Sequence, residues 1–291
     1  MSNRQHTTET MEEEKWDITL TSKESFLSIP WREMFRYRDL LLMFVKRDVI
    51  IIYKQTILGP IWFFIQPILT TIVYIVVFGG IAGLSTDKVP KALFYSAGIV
   101  MWNYFSESLM LTSKTFLENA NLFGKVYFPR ILMPVSKMTS GFLKFLVQFL
   151  FFILVLIFYV VTGTEVHMNY HILFVPLLVA LLAVLGLGIG VIFTSLTTKY
   201  RDLTFLIQFG VSLAMYATPV IYPLSSVPEK YRSYILLNPV TYLVEGFRYA
   251  FLGAGMWSWS GIGYAAAVAS VVLVCGVLIF NKVEKTFMDT V

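Results

Sequence analysis

Six long apolar runs constrain the fold of this chain more than any other feature of its sequence. They lie at 57–82, 92–115, 139–162, 172–196, 203–222 and 261–280. A helix needs about twenty apolar residues to cross a hydrocarbon core about 30 Å thick. Because backbone groups in lipid must bond within their own segment, we predict that these runs are transmembrane helices. A membrane β-barrel would instead show segments of about ten residues with alternating polarity.

The composition fits a chain that folds in lipid. Hydrophobic residues make up 57% of it and charged residues 14%, whereas a soluble domain carries about 25% charged residues. The one cysteine, Cys275, lies inside an apolar run, so no disulfide can form within the chain. We predict an all-α membrane protein in which residues 1–30 are a polar cytoplasmic tail and residues 31–291 form one membrane domain. A nucleic acid partner is not expected.

Lysine and arginine are distributed unevenly around the six runs. The approach to the first run, the 116–138 loop, the loop at 199–201 and the C-terminal tail hold 13 of them, whereas the loops on the opposite side hold five and the segment between Thr162 and His171 holds none. Cytoplasmic loops carry the excess of these residues in membrane proteins. Because the number of spans is even, we predict a multi-pass protein of the cytoplasmic membrane with both termini in the cytoplasm.

Residues 36–54 form a basic amphipathic pattern ahead of the first run. At about 100° per residue, Arg36, Arg47 and Lys54 share one face, and the opposite face holds Leu41, Val45, Val49 and Ile52. Such a helix suits the membrane interface, and its three cations suit the recruitment of an anionic lipid head. The alternative is a simple extension of the first span.

A shorter apolar segment, 240–252, lies between the fifth and sixth runs. Glu245 and Arg248 interrupt it, and Asn238-Pro239 supplies a turn and a helix start before it. A segment of this length is typical of a re-entrant or interfacial helix. We therefore predict about six spans, with a re-entrant helix before the last one.

Two features bear on how the helices contact one another. Glu107 lies inside the second run, and Asn103 and Lys114 share its face. A charge within a membrane usually faces a protein interior or water, so a structural pair with Lys114 or another helix and a role in transport both remain open. The spacing of small residues that allows close helix packing occurs twice, at Gly79/Gly83 and at Gly186/Gly190.

Short phrases at the edges of the apolar runs resemble a known family. They are Tyr53-Lys-Gln-Thr-Ile-Leu-Gly59-Pro60-Ile-Trp62, then Phe128-Pro129-Arg130 with Pro134, then Tyr200-Arg201-Asp202-Leu203, and last Asn238-Pro239. In this order, from about Arg32 to the C-terminus, the chain resembles the transmembrane subunit of polysaccharide-exporting ABC transporters. The resemblance implies a homodimer that encloses the export channel, with two separate ATPase subunits that bind ATP and Mg. It also implies a lipid-linked glycan of the O-antigen, capsule or teichoic acid type as substrate.

Two cytoplasmic loops are the expected contacts with the ATPase. Exposed apolar residues rimmed by charge usually mark a partner surface, and the 118–130 segment mixes both kinds. The resemblance implies that this segment is the main coupling helix and that the 199–202 loop is a second contact. The predicted coupling residues are Glu118, Asn119, Leu122, Phe123, Lys125, Phe128, Arg130, Tyr200, Arg201 and Asp202. The alternative for both is an ordinary basic loop on the cytoplasmic side.

Aromatic and polar residues form stripes on two of the runs. By helical spacing, one stripe holds Phe63, Gln66, Thr70 and Tyr74, and the other holds Phe205, Phe209, Ser212 and Tyr216. Aromatic rings can stack on sugar faces while polar groups exchange hydrogen bonds with hydroxyls. The resemblance implies that these two spans line the channel. The alternative is packing against lipid or neighbouring helices.

The sequence holds no nucleotide site and no catalytic constellation. A P-loop requires Gly-x-x-x-x-Gly-Lys-Ser/Thr, and at the one Gly-Lys pair, Gly124-Lys125, both Asn119 and Val126 break the pattern. His167 and His171 have ligand-like spacing, but interfacial histidines are the other interpretation. We therefore expect a permease that is not itself an enzyme. The rival hypotheses are an ABC permease for a small amphipathic drug or antibiotic, a polytopic acyl- or glycosyltransferase, and a channel.

Overall fold

The computed structural model describes residues 35–54, 59–123 and 128–287. Within these ranges every regular element is helical, which confirms the all-α prediction. The predicted tail at 1–30 lies outside the described residues. Residues 55–58, in the middle of the motif that opens the first run, also lie outside them.

Ten α-helices lie in the described ranges. They are α1 (Arg38–Lys54), α2 (Trp62–Tyr74), α3 (Lys91–Ser113), α4 (Thr115–Phe123), α5 (Leu132–Val161), α6 (Val175–Thr197), α7 (Leu203–Tyr216), α8 (Glu229–Leu236), α9 (Pro239–Leu252) and α10 (Trp259–Phe287). Helix α2 continues into a π-helical segment, Ile75–Ile81, and a short 3-10 segment, Tyr170–Phe174, leads into α6.

Four helical segments are long and apolar enough to cross a membrane. They are Trp62–Ile81, Leu132–Val161, Tyr170–Thr197 and Trp259–Val283. Their exposed apolar side chains, such as Leu150, Leu154 and Phe158 on α5, suit contact with lipid. These segments confirm the first, third, fourth and sixth predicted runs as helices.

Helix α3, the second predicted run, occupies the centre of the bundle. Its 23 residues give a length of about 35 Å. It packs against α2, α5, α6, α7 and α9, and most of its side chains are buried. Because protein rather than lipid surrounds it, α3 accommodates polar residues such as Ser108 and Thr112, which makes it less apolar than the other long helices.

The fifth predicted run, 203–222, is shorter as a helix than the sequence indicates. Helix α7 has 14 residues, about 21 Å, and ends at Tyr216. Turns follow at 217–220, where Pro219 has no N–H to continue the helical hydrogen bonding. The prediction of an unbroken span to residue 222 is therefore wrong, and α7 alone is shorter than a hydrocarbon core of about 30 Å.

Helix α9 corresponds to the predicted re-entrant segment. The Asn238 side chain accepts a hydrogen bond from the Val240 backbone N–H at 3.0 Å, Pro239 opens the first turn, and Gly253 ends the helix at a φ of 67°. The predicted helix start at Asn238-Pro239 is confirmed. Helix α9 packs against α3, α6 and α10 and is largely buried in the bundle.

The two glycine pairs have different roles. A Cβ on Gly186 would lie 2.9 Å from the Ser108 side chain, and one on Gly190 would lie 2.5 Å from Thr112, so this pair allows close packing of α6 against α3. Gly79 instead faces Lys91, whose ammonium donates to the Gly79 carbonyl at 2.5 Å. The prediction of close helix packing is confirmed for the α6 pair only.

Candidate functional site

The first predicted coupling segment includes α4, which packs against the buried core of the chain. Phe123 and Phe128 are only 4% and 5% exposed. They belong to an aromatic cluster with Phe44 of α1, Phe116 of α4 and Phe280 of α10. The Phe116 and Phe280 rings stack with centroids 4.8 Å apart. The expectation that the aromatic residues of this loop are exposed is therefore wrong for Phe123 and Phe128.

Asn119 also differs from its predicted placement. It is buried at a kink in α4, with φ −118° and ψ 15°. Its side-chain amide donates to the Thr115 carbonyl at 2.9 Å, and its oxygen accepts from Arg47 at 3.5 Å. These contacts direct the Asn119 side chain into the protein rather than toward a partner.

The remaining predicted coupling residues lie nearer the surface. Glu118 is partly exposed and pairs with Lys137 at 3.4 Å, while Leu122 and Arg130 are half-buried. Lys125 lies outside the described residues. The second loop is more accessible, because all of its predicted contact residues are exposed: Tyr200, Arg201 and Asp202.

Helix α1 has both buried and exposed apolar side chains. Phe44, Val45 and the polar Asp48 are buried where α1 packs along α5. Three other apolar side chains of the helix are exposed: Leu42, Met43 and Ile51. The helix is therefore more than an extension of the first span, because it lies against another part of the bundle.

The three predicted head-group cations of the interface helix have different surroundings. Arg36 and Lys54 are exposed. Arg47 is half-buried and donates to the Asp48 carboxylate at 2.8 Å and 3.0 Å. Recruitment of an anionic lipid by these residues stays a prediction, and the structure adds a partner for Arg47.

The aromatic stripe of α7 lies on the exposed face of that helix. Phe205 and Phe209 are 77% and 62% exposed, and Ser212 and Tyr216 are exposed with them. The Ser212 hydroxyl donates to the Gln208 carbonyl within the helix at 2.9 Å. Within the described chain, this face is therefore available for contact with lipid, substrate or another subunit.

The stripe of α2 is only partly exposed. Gln66 is exposed, whereas Phe63, Thr70 and Tyr74 are half-buried. Helix α7 contacts one end of this stripe, where the Tyr74 hydroxyl lies 3.3 Å from Met215 Sδ. Phe63 is eleven residues away, about 16 Å along the helix, and its ring lies 5.5 Å from the Lys144 ammonium. One end of the α2 stripe thus borders α7 and the other borders α5.

Glu107 pairs with a residue that its helical face does not indicate. Its carboxylate accepts a hydrogen bond from Lys144 of α5, and not from Lys114. One turn away, Asn103 donates to Gln148 at 3.1 Å. These contacts form a row of polar side chains between α3 and α5. Glu107 therefore has a structural partner on another helix, and its role in transport stays open.

Arg248 and Glu245, which interrupt the apolar segment 240–252, form a buried ion pair that their sequence positions alone do not reveal. Arg248 is 1% exposed, and its Nη1 lies 3.2 Å from the Glu245 carboxylate. The guanidinium also donates to the carbonyls of Pro219, Val220 and Phe94, and its Cζ lies 3.7 Å from the Phe94 ring.

These contacts connect three parts of the bundle. Arg248 belongs to α9, Phe94 to α3, and the two other carbonyls to the turn that ends α7. Gly98 of α3 leaves room for the Arg248 guanidinium, because a Cβ at this position would lie 2.5 Å from it. The available sequence signal was a pair of opposite charges three residues apart in an otherwise apolar helix, which favours a buried structural pair.

His171 is buried in an aromatic group at the outer end of the predicted topology. Its ring centroid lies 4.0 Å from that of Tyr170 and 4.3 Å from that of Trp257. In the part of the chain that the structure describes, no group of three His, Cys, Asp or Glu side chains is arranged to hold a metal ion.

Comparisons with known proteins agree over most of the chain. A family model described as "ABC-2 type transporter" matches residues 39–252. The O-antigen export system permease protein RfbA of Klebsiella pneumoniae is 26% identical over 252 residues, which cover 86% of this chain and 94% of the relative. RfbA of Myxococcus xanthus is 26% identical over 262 residues, covering 89% and 98%. The polysialic acid transport protein KpsM of Escherichia coli is 22% identical over 234 residues, covering 80% and 89%.

Proposed function

Because this chain belongs to the ABC-2 type transporter family, we propose that it is the transmembrane subunit of an ATP-driven exporter of a lipid-linked polysaccharide. The observation that carries the proposal is similarity along 86% of the chain to permeases whose names specify O-antigen export. The similarity to KpsM extends the comparison to a polysialic acid transporter. The glycan of this chain would be of the O-antigen, capsule or teichoic acid type.

The working unit is a homodimer whose channel lies between the two copies. The exposed aromatic face of α7 and the stripe of α2, whose Tyr74 contacts Met215 of α7, support this assignment. Rings that stack on sugar faces bind many glycans with little sequence preference, which suits the passage of a repeating chain.

Two separate ATPase subunits bind ATP and Mg and drive the cycle. In the proposed cycle, the exposed loop at Tyr200, Arg201 and Asp202 contacts the ATPase directly, together with Glu118 of α4. The aromatic cluster around Phe123 and Phe128, together with Leu187 and Val191 of α6, joins α4 to α1, α6 and α10. A push on α4 would therefore move these helices together, and it would shift α7, which packs against α6, and α2, which packs against α5.

The chain lies in the cytoplasmic membrane with both termini in the cytoplasm. Support comes from the excess of lysine and arginine around α1, α4 and the C-terminus. In this orientation the α1 region faces the leaflet from which a lipid-linked glycan would enter. Arg36, Arg47 and Lys54 would attract its anionic head.

Complementation of export tests the proposal. A host that lacks its own O-antigen permease receives this chain together with a candidate partner ATPase, and surface glycan is measured by antibody binding to intact cells. The matched control supplies the chain with an ATPase whose P-loop lysine is replaced. We expect surface glycan only with the active ATPase. Extrusion of a small drug without surface glycan would replace the proposal with the drug-exporter hypothesis.

A further inference from the structure

A charged pocket lies between α1, α4 and α5, next to the inner end of α3. Its volume is about 420 Å³. The polar side chains that line it include Arg47, Asp48, Glu118, Lys137, Ser140 and Lys144. We propose that this pocket receives the phosphate or diphosphate head of an anionic lipid. The proposal rests on the proposed function for the identity of that lipid as the export substrate.

The cations of the pocket can bond to more than their present partners. Lys137 Nζ lies 3.4 Å from both Asp48 and Glu118, and Lys144 bonds to Glu107. Each ammonium has three N–H donors, so neither lysine needs to lose its carboxylate in order to bond to a phosphate oxygen. Charge-assisted bonds of this kind are about twice as strong as neutral ones.

Overall charge does not select the ligand. The three lining cations face Asp48 and Glu118, and Glu107 offsets Lys144 from outside the pocket. Three positive and three negative charges cancel. Selection therefore depends on short-range hydrogen bonds from mostly buried donors, and such bonds are screened by salt much less than exposed charges are.

The walls of the pocket indicate a lipid rather than a free phosphate. Ile51 and Leu111 give it an apolar side. Ile51 is 56% exposed at the rim, on the same helix as the exposed Leu42 and Met43. An amphipathic ligand can place its head against Lys137 and Lys144 while its chain leaves past Ile51, whereas inorganic phosphate would gain nothing from this apolar wall.

The position of the pocket connects substrate binding with coupling. Glu118 lines it and belongs to α4, and Lys137 forms ion pairs at 3.4 Å with both Glu118 of α4 and Asp48 of α1. A head group bound to Lys137 would therefore contact the predicted coupling helix through a single side chain. In this arrangement, binding of the head group would change the contacts of α4, the helix on which the ATPase is proposed to act.

Binding to the full chain in nanodiscs tests the site without any need for export. The probes are a polyprenyl diphosphate and inorganic diphosphate, and affinity is measured by thermophoresis. We expect the lipid to bind at least about tenfold more tightly than inorganic diphosphate, because only the lipid gains from the apolar wall.

The double variant Lys144→Gln with Glu107→Gln removes the pocket cation and its partner together, so no unpaired charge remains. Affinity for the lipid should fall about tenfold, as expected for loss of a bond to a charged group. The control Lys46→Gln removes an exposed charge one residue from Arg47. It should change affinity less than about twofold at physiological salt.

A second pair of variants leaves the buried network intact. Ile51→Glu places a carboxylate at the rim, and Met43→Glu places the same charge on an exposed position of α1 that does not line the pocket. Ile51→Glu should weaken lipid binding about tenfold, and Met43→Glu should leave it near the wild-type value. Monomer elution and thermal stability identify any variant that misfolds.

Unchanged lipid affinity in both Ile51→Glu and the double variant would overturn the pocket assignment. Equal affinity for inorganic diphosphate, lost in the same variants, would overturn the lipid source and leave a free-phosphate site. Export complementation separates this proposal from the proposed function. If export is supported but the pocket variants do not change lipid binding, only the pocket proposal is refuted. If the lipid binds in the pocket but export is not supported, only the exporter proposal is refuted.

Discussion

Replacement of Arg248 by methionine should destabilise the protein more than any surface change of charge. The substitution keeps a long apolar side chain but removes the guanidinium that donates to Glu245 and to the Pro219 and Val220 carbonyls. Removing one partner of a buried ion pair typically costs about 3–5 kcal/mol, because the other charge stays buried and unpaired. We expect Arg248→Met to lower the free energy of unfolding by that amount.

A double variant tests the physical reason for this cost. Glu245→Gln removes the charge that Arg248→Met would leave unpaired while keeping the shape of the side chain. If the unpaired carboxylate dominates, Arg248→Met with Glu245→Gln should be more stable than Arg248→Met alone. Gly98→Ala perturbs the position of Arg248 from α3, since the new methyl group would lie 2.5 Å from the guanidinium. It should be destabilising without any change of charge.

Unfolding by SDS titration in mixed micelles, followed by far-UV circular dichroism, measures these differences. Lys230→Met is the matched control, because it removes an exposed cation from α8 and surface changes usually cost less than about 0.5 kcal/mol. The reasoning would be refuted if Arg248→Met cost less than about 1 kcal/mol. It would also fail if the double variant lost the sum of the two single losses, since contacting residues should be coupled.

Three further predictions concern the transport cycle. The purified chain should hydrolyse no ATP until a partner ATPase is added, since the sequence holds no P-loop; phosphate release by the chain alone, at a rate resistant to further purification, would contradict this. Tyr200→Ala with Arg201→Glu should reduce co-purification of the ATPase and export together while leaving thermal stability unchanged, because both side chains are exposed; full co-purification would make this loop a mere connector. Phe209→Ala should reduce export of long glycans per folded complex, since its ring is exposed on α7 and a lost stacking contact is worth about 1 kcal/mol; a fall in stability with unchanged export would place the ring in a packing contact.

The sequence predicted the helical architecture well because hydrophobic length is a direct physical requirement of a bilayer. Two local features were predictable as well. Asn238-Pro239 marks a helix start, and the spacing of Gly186 and Gly190 allows close contact with another helix. The end of α7 was missed because the apolar run continues through Ala217 and Val220, and hydropathy does not distinguish a buried turn from a helix.

The surface properties of the predicted coupling segment could not be obtained in the same way. Apolar residues beside charges look alike whether they face a partner subunit or the chain's own core. Phe123 and Phe128 are buried because Phe44 and Phe280, far away in sequence, reach the same place. The partner of Glu107 was missed for a similar reason, since helical spacing relates residues within one helix and Lys144 belongs to another.

The central position of α3 has a consequence for how the chain enters the membrane. A helix with Asn103 and Glu107 in its middle is costly to leave in lipid by itself. Its polar partners Lys144 and Gln148 belong to α5, and Arg248 belongs to α9, so they are synthesised only later. Stable insertion of α3 therefore depends on helices that follow it. A chain truncated after Ser113 should leave α3 accessible to glycosylation or cysteine labelling, and extension through α5 should protect it.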